Sequence, residues 1–266
     1  MSKSWPEDPS TTWGVGDYPL MAERLVPAAS ATVEACGIGD GDVVLDLACG
    51  TGNAALLAAR RGAVVHAVDF EPRLLSIAAR RAAEQGFEID WRLGELASVP
   101  LADASVSALV SVFGAIYAPE PADAASELGR LCARGARLAL TAWEADSFIP
   151  ALGAALGAYL PPPPGSPDPG LWASSPQLER LLGTHGIRLE EMQAGQLELR
   201  FDGAAQAADF LIRTAGHVVA ARDDLRASGR WQQLTEDLRE LVIVRSQAGD
   251  GRSLTLDYVI ARAEKL

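Results

Sequence analysis

The sequence is poor in the residues that build metal centres and disulfide frameworks. Its 266 residues contain only three cysteines and three histidines. Cys36, Cys49 and Cys132 are isolated from one another and lack the paired spacing of metal ligands. An odd number of thiols, with no apolar signal segment near Met1, is typical of a reducing compartment. We therefore expect a cytoplasmic protein without a bound metal.

The sequence also lacks a cluster of basic residues and a long apolar run. Acidic residues outnumber basic ones by 35 to 23, which gives a formal net charge of −12. The arginine pairs at 60–61 and 80–81 are short and are typical of solvated helix faces. Proteins that bind nucleic acids present a basic surface, and a membrane-spanning helix needs ~20 consecutive apolar residues. We therefore expect neither nucleic acid nor a membrane among the partners.

An apolar run at 43–48 leads into a glycine-rich turn, and a second apolar run at 64–69 ends in an acid. The residues between the two runs have helical spacing, so the segment predicts a strand, a turn, a helix and a second strand. Gly50 and Gly52 allow the backbone of the turn to approach a ligand closely. Asp69 follows the first run by about 20 residues, the separation expected of a carboxylate that binds ribose hydroxyls. The pattern indicates a cofactor that carries adenosine.

The composition of the turn favours one such cofactor over another. Dinucleotide folds use G-x-G-x-x-G to hold a pyrophosphate at a helix N-terminus, whereas residues 48–53 are Ala-Cys-Gly-Thr-Gly-Asn. The acid Asp46 beside this turn would repel a pyrophosphate and would attract an ammonium or a sulfonium. We therefore expect S-adenosylmethionine (SAM) rather than NAD. The alternative is a strand–helix–strand unit whose glycines serve only a tight turn.

Short apolar strands alternate with helical patterns over the first half of the chain, which predicts a parallel, doubly wound α/β sheet. Residues 1–19 are predicted to be irregular, and residues 20–37 helical with a break at Pro27. A proline-rich connector is predicted at 161–170. The predicted strands are 43–48, 64–69, 88–93, 106–112, 136–142, 196–201 and 253–261. The predicted helices are 53–62, 72–86, 121–134, 147–160, 176–183 and most of 204–247.

The segment Asp46-Leu-Ala-Cys-Gly-Thr-Gly52 resembles the first motif of class I SAM-dependent methyltransferases. The segments at 94–101, 111–114 and 135–143 continue this likeness. Together they resemble the small-molecule branch that includes the ubiquinone and menaquinone biosynthesis methyltransferases. The resemblance extends over about residues 10–145. Ala48 departs from it, because the family more often has glycine at that position.

The resemblance implies a seven-stranded, Rossmann-like methyltransferase sheet. It implies an N-terminal lid and helix at 1–40, a SAM-binding core at 41–145, and a substrate-side region at 146–266 with a helical insert over the active site. The implied activity moves a methyl group from SAM to an O, N or C atom of a small, aromatic or apolar metabolite and leaves S-adenosylhomocysteine. Two alternatives stay open: a SAM-fold enzyme that catalyses cyclisation or decarboxylation, and a non-catalytic SAM-binding protein.

Candidate cofactor residues follow the strand ends, where open α/β sheets bind ligands. Asp69 is expected to bind the ribose and Phe70 to cover one face of the adenine. In the resembling family, the acid–apolar pair after the third strand meets the adenine. The end of the fourth strand is expected beneath the methionine, with core packing as the alternative for Phe113. The expected cofactor residues are Tyr18, Asp46, Ala48, Cys49, Gly50, Thr51, Gly52, Asp69, Phe70, Glu95, Leu96, Ser111, Val112 and Phe113.

Candidate substrate residues are aromatic, because aromatic faces suit a planar substrate and attract a sulfonium. For the tryptophans the alternative is core packing, and for Tyr18 it is packing instead of a hydrogen bond to the cofactor carboxylate. His217, in the helical region that the resemblance places on the substrate side, is the candidate general base. A surface or capping role is the alternative for His217. The candidate substrate residues are Trp13, Tyr117, Trp143 and Trp172.

Overall fold

The computed structural model describes residues 10–162 and 166–266, and these residues form a seven-stranded mixed sheet. The strand order is β3-β2-β1-β4-β5-β7-β6, which confirms the predicted fold class. Residues 163–165 of the predicted proline connector lie outside the described residues. All of residues 1–9 lie outside them too. The strands are β1 Val43–Leu47, β2 Val64–Asp69, β3 Asp90–Leu93, β4 Val106–Val112, β5 Cys132–Trp143, β6 Ile187–Arg200 and β7 Ser253–Lys265.

Strands β1 to β5 run parallel, and β7 joins β5 in antiparallel orientation. In the centre of the sheet, Leu45 of β1 lies opposite His66 of β2 and Leu109 of β4. Leu45 and Leu109 are completely buried. Near-continuous apolar runs are expected of parallel strands that are covered on both faces. The parallel arrangement brings the carboxyl ends of β1, β2 and β4 to one edge of the sheet.

The described part of the chain contains twelve α-helices, three of which precede β1. Pro27 occupies the first turn of a new helix, where its missing N–H is not needed, so the predicted break at this proline is correct. Glu71 caps another helix by accepting a hydrogen bond from the Arg73 amide at 3.0 Å. The helices are α1 Ser10–Val15, α2 Tyr18–Arg24, α3 Val26–Ala35, α4 Asn53–Arg60, α5 Pro72–Glu84, α6 Pro121–Leu131, α7 Phe148–Gly157, α8 Ser175–Gly183, α9 Ala204–Thr214, α10 Gly216–Ala220, α11 Arg222–Ala227 and α12 Trp231–Arg245.

Three local expectations differ from the structure. Residues 10–15 form the short helix α1, although this segment was expected to be irregular. The helix expected to reach residue 134 ends at Leu131, because Cys132 is already extended, with φ −74° and ψ 126°. The sixth strand begins at Ile187, nine residues before the alternating segment that predicted it. Strand β6 has an irregular burial pattern over these first residues, so its period is visible only near its end.

The chain forms two compact units. The larger unit contains Leu25–Glu144, Pro167–Gly195 and Tyr258–Leu266, and the smaller unit contains Met1–Arg24, Ala145–Ser166 and Gln196–Asp257. Nearly all of the expected SAM-binding core at 41–145 belongs to the larger unit. The larger unit therefore carries the glycine-rich turn and the strand ends around it.

The described part of the chain contains no helix with both the length and the apolar composition needed to cross a membrane. Over the same residues, no three side chains of His, Cys, Asp or Glu are grouped as ligands for a metal ion. Cys36, Cys49 and Cys132 are buried free thiols.

Candidate cofactor site

The glycine-rich turn between β1 and α4 has an unusual backbone. Ala48, Gly50 and Gly52 all have positive φ angles, of 56°, 53° and 79°. Gly52 is also the N-cap of α4, and it has no side chain with which to cap the helix. Left-handed backbone costs a non-glycine residue about 1–2 kcal/mol. Ala48 therefore carries a strain that a glycine at this position would not have.

Two buried carboxylates hold this turn through backbone N–H groups. Asp46 Oδ2 accepts a hydrogen bond from the Ala55 amide at 2.8 Å, in the first turn of α4. Asp69 Oδ2 accepts one from the Gly50 amide at 2.7 Å, and its Oδ1 accepts one from the Glu71 amide at 2.9 Å. Asp46 is 1% exposed and Asp69 is 5% exposed. The two acids thus order the turn as well as line it.

Burial also sets the electrostatics of the turn. The pKa of Asp46 is raised to about 7, mainly by desolvation; the hydrogen bond from Ala55 opposes this rise and the nearby charge of Asp69 adds to it. Desolvation raises the pKa of Asp69 as well, against the hydrogen bonds from Glu71 and Gly50. Both carboxyl groups are costly to ionise where they lie, and a nearby positive charge would stabilise their ionised forms. The turn therefore favours a positively charged ligand. SAM, with its sulfonium and ammonium groups, fits this requirement, whereas a pyrophosphate does not.

The ends of β3 and β4 complete the surroundings of the turn. Ser111 is fully buried, and its hydroxyl donates to the Leu47 carbonyl at 2.7 Å and accepts from the Ala115 amide at 3.0 Å. This serine ties the end of β4 to the end of β1. After β3, Gly94 donates its N–H to the Asp69 carbonyl at 3.1 Å. The next residues, Glu95 and Leu96, are exposed and half-buried respectively.

Comparison with known proteins assigns this arrangement to a family. The sequence profile of the methyltransferase domain matches residues 44–135, which include the turn, both carboxylates and Ser111. An uncharacterized protein of Mycobacterium tuberculosis is 33% identical over 257 residues, which are 95% of this chain and 92% of that protein. The demethylmenaquinone methyltransferase of Thermus thermophilus is 37% identical over 97 residues, 36% of this chain and 44% of that enzyme.

This chain is a class I SAM-dependent methyltransferase.

Solved structures show the same fold. The YcgJ protein of Bacillus subtilis superposes with a TM-score of 0.65 at 17% identity, covering 90% of this chain and 98% of that one. Geranyl diphosphate C-methyltransferase of Streptomyces coelicolor superposes with a TM-score of 0.54 at 17% identity, covering 90% and 76%. Its crystals contain S-adenosyl-L-homocysteine. The predicted family, fold and cofactor of the methyltransferase are thus confirmed.

The larger unit of the methyltransferase also holds most of the aromatic residues named from the sequence. Phe113, with a positive φ of 57°, stacks on Trp143 with ring centroids 3.7 Å apart and planes 5° apart. Tyr258 meets Phe113 edge to face at 5.7 Å. Trp172 is 2% exposed, so the structure places it in the interior. Tyr117, which follows β4, is 46% exposed.

Tyr117 combines a large exposed surface with a desolvated hydroxyl. Desolvation raises the pKa of its phenol to about 12, although nearly half of the residue is exposed. The phenol therefore stays neutral over the physiological pH range.

Three further candidates, Trp13, Tyr18 and His217, belong to the smaller unit. Trp13 and Tyr18 meet edge to face with ring centroids 5.5 Å apart. His217 lies in α10 and is half-buried, and desolvation lowers the pKa of its imidazole. The N-terminal segment packs beside this histidine, since a Cβ at Gly16 would approach the Gly216 backbone to 2.9 Å. The Asp17 amide donates to the Arg213 carbonyl at 2.9 Å, which fixes the same segment.

The structure adds contacts that the sequence did not suggest. A Cβ at Gly52 would lie 2.7 Å from the Trp91 ring and 3.1 Å from Ala78 Cβ, so this glycine makes room for the protein itself. A Cβ at Gly114 would overlap the Cβ of Ala48. Gly114 belongs to the segment 111–114, which carries part of the family resemblance. That resemblance marked the glycine but did not indicate that it contacts Ala48.

Proposed function

We propose that the methyltransferase acts on a small aromatic or otherwise apolar metabolite, at an O, N or C atom. The observation that carries this proposal is Tyr117, an exposed aromatic residue in the short helical turn that follows the carboxyl end of β4. Its ring offers an aromatic face to an acceptor molecule. An acceptor with a large charge would gain little from such a surface.

The chemistry places modest demands on the protein. SAM supplies an activated methyl group on a sulfonium. The protein must hold the acceptor atom in line with that group and exclude water. In this proposal Asp69 binds the ribose, Asp46 stabilises the positive end of the cofactor, and Phe70 and Leu96 contact the adenine. Tyr117 contacts the acceptor.

We also propose that His217 takes the proton that the acceptor loses. Its lowered pKa keeps the imidazole neutral near pH 7, the form that can accept a proton. Trp13 and Tyr18 pack together in the same unit as His217. We propose that Trp13 contributes to the acceptor surface and that Tyr18 contacts the cofactor carboxylate. The cytoplasmic location and the exclusion of nucleic acid stay predictions.

The test uses the purified full chain and SAM labelled in its methyl group. The acceptor panel contains phenols, indoles, aromatic amines and demethylmenaquinone, the compound named for the Thermus thermophilus enzyme. We expect label to enter one class of acceptor, with one S-adenosylhomocysteine formed per methyl transferred. The matched control is Asp69→Ala, which should lower both signals in parallel when SAM is limiting.

Two results would contradict the proposal. If the protein binds SAM and converts the acceptor into a product that carries no label, the reaction is a cyclisation or a decarboxylation. Transfer of label only to highly charged acceptors would show that the aromatic surface of Tyr117 does not select the acceptor.

A further inference from the structure

Arg81, in the last turn of α5, reaches the glycine-rich turn from outside the set of residues expected to touch the cofactor. Its Nη1 donates to the carbonyl oxygen of Thr51, to the Thr51 hydroxyl at 3.1 Å and to Asn53 Oδ1 at 3.0 Å. One guanidinium nitrogen therefore contacts three oxygens on the two residues that flank Gly52. We propose that Arg81 is a positioning residue, which holds the turn in the conformation that binds SAM.

The turn needs such a contact because its own sequence restrains it weakly. Gly52 has a φ of 79° and supplies no side-chain cap to α4. A glycine has access to more backbone conformations than other residues, so the folded turn gives up more entropy. Charged hydrogen bonds to the residues on either side of Gly52 oppose that freedom. Arg81 thus restrains the part of the turn that the chain leaves most free.

The restrained residues lie between the two anchors of the site. Gly50 donates to Asp69 and Ala55 donates to Asp46, and both amides lie within a few residues of Thr51 and Asn53. If the turn shifts at Gly52, the amides that position both carboxylates shift with it. The carboxylates bind the ribose and the positive end of SAM in the proposed function, and this inference rests on that assignment. Loss of the Arg81 contacts should therefore weaken cofactor binding without removing any cofactor contact.

Helix α5 is well placed to transmit this restraint. The helix begins directly after Asp69 and Glu71, and Ala78 on the same helix packs against Gly52. The Arg81 carbonyl accepts a hydrogen bond from Gln85 Nε2 at 3.1 Å. One helix thus follows the ribose carboxylate at its start and contacts the turn near its end.

The adjacent arginine is a natural comparison. Arg80 has a side chain that is 69% exposed and forms an ion pair with Glu84, with Nε and Oε1 4.0 Å apart. An exposed pair of this kind contributes little to stability. Arg81 is half-buried and points to the turn. The two arginines share a helix, a charge and a size, so they differ mainly in the contact that the proposal invokes.

The experiment measures the dissociation constants of SAM and S-adenosylhomocysteine by calorimetry for the wild type, Arg81→Ala, Arg81→Lys and Arg80→Ala. We expect Arg81→Ala to weaken both constants about tenfold or more, because charged hydrogen bonds are lost. Arg81→Lys should recover part of the loss, since an ammonium keeps the charge but not the guanidinium geometry. Arg80→Ala should bind as the wild type does. Hydrogen exchange of amides 50–56 should quicken in Arg81→Ala only.

A folded Arg81→Ala variant that binds both ligands with wild-type affinity overturns the proposal, even if its melting temperature falls. Should that variant not fold, the double variant Thr51→Val/Asn53→Ala removes both side-chain acceptors of Arg81 and keeps the proposal testable. Wild-type affinity in this double variant also overturns the proposal. If the wild type itself binds neither ligand, the proposed function fails instead, so the two failures are distinguishable.

Discussion

The carboxylate of Asp69 accepts a hydrogen bond from the backbone N–H of Gly50 at 2.7 Å. Asp69 is the last residue of β2, and Gly50 lies in the turn that follows β1. The bond therefore joins the ends of two neighbouring parallel strands. The same carboxylate is the expected ribose ligand, so it has a structural and a binding role that substitutions can separate.

Asp69→Ala should weaken SAM binding by about 1.5–3 kcal/mol, the range for hydrogen bonds to a charged group. It should also lower the free energy of unfolding, because the Gly50 amide loses its partner in a buried place. Asp69→Asn keeps one acceptor for that amide and should retain more stability than affinity. Calorimetry and thermal unfolding measure the two effects. An unchanged dissociation constant in Asp69→Ala would exclude this residue from the cofactor site. The control is Asp103→Ala, which replaces an exposed aspartate.

Ala48 and Gly114 should show coupled effects on stability. Ala48→Gly should stabilise the fold by about 0.5–1 kcal/mol, since the relief of left-handed strain exceeds the entropy cost of glycine. Gly114→Ala should destabilise it, because the new Cβ overlaps that of Ala48, although Gly114 itself has an ordinary φ of −94°. The double variant should recover part of this loss. Denaturant unfolding of the four proteins tests the cycle, and strict additivity would disprove the contact.

The affinity for SAM should depend on pH through Asp46. Its carboxyl is protonated below its raised pKa of about 7 and ionised above it, and the ionised form attracts the cationic cofactor. Affinity should therefore rise as pH increases toward 7, by up to about tenfold per pH unit, and level off above it, where the carboxyl is already ionised. Calorimetry at a series of pH values gives the curve. Asp46→Asn should flatten this curve. A wild-type curve that is already flat would show that the ionisation of Asp46 does not affect SAM binding.

The same group should influence stability in the opposite direction. The unfolded chain releases the proton of Asp46 near pH 3.8, whereas the folded protein keeps it up to a pH of about 7. The contribution of Asp46 to the stability of the free protein is thus present at low pH and is lost as pH rises between these values. Unfolding of Asp46→Asn compared with the wild type isolates this contribution.

His217→Ala should reduce turnover about 10²–10⁴-fold if the imidazole is the general base. SAM affinity should stay unchanged, and activity should partly recover at high pH, where an acidic acceptor ionises without help. Steady-state kinetics over a range of pH values provide the measurement. His185→Ala, in the other unit, is the matched control. Wild-type turnover of His217→Ala at neutral pH would exclude His217 as the general base. The protein would then act by positioning the acceptor and SAM.

The fold and the cofactor class could be predicted because their signals are local in the chain. Two apolar runs, a pair of glycines and an acid at the correct separation specify a strand, a turn, a helix and a second strand within about 30 residues. The proline at position 27 marks a helix start for a similarly local reason. Helix ends were less predictable: at Cys132 the chain becomes extended where helical spacing alone indicated three more residues of helix.

The sequence by itself determined the doubly wound sheet, the glycine-rich turn and the choice of SAM over a dinucleotide. Only the tertiary structure distinguished Arg81 from Arg80, showed that Gly52 makes room for Trp91, and placed the Phe113 ring against Trp143. Each of these contacts joins residues that are far apart in the chain or that differ only in burial. Hydrophobic spacing indicates which face of a helix or strand is buried, but the packing of several elements decides which side chains meet.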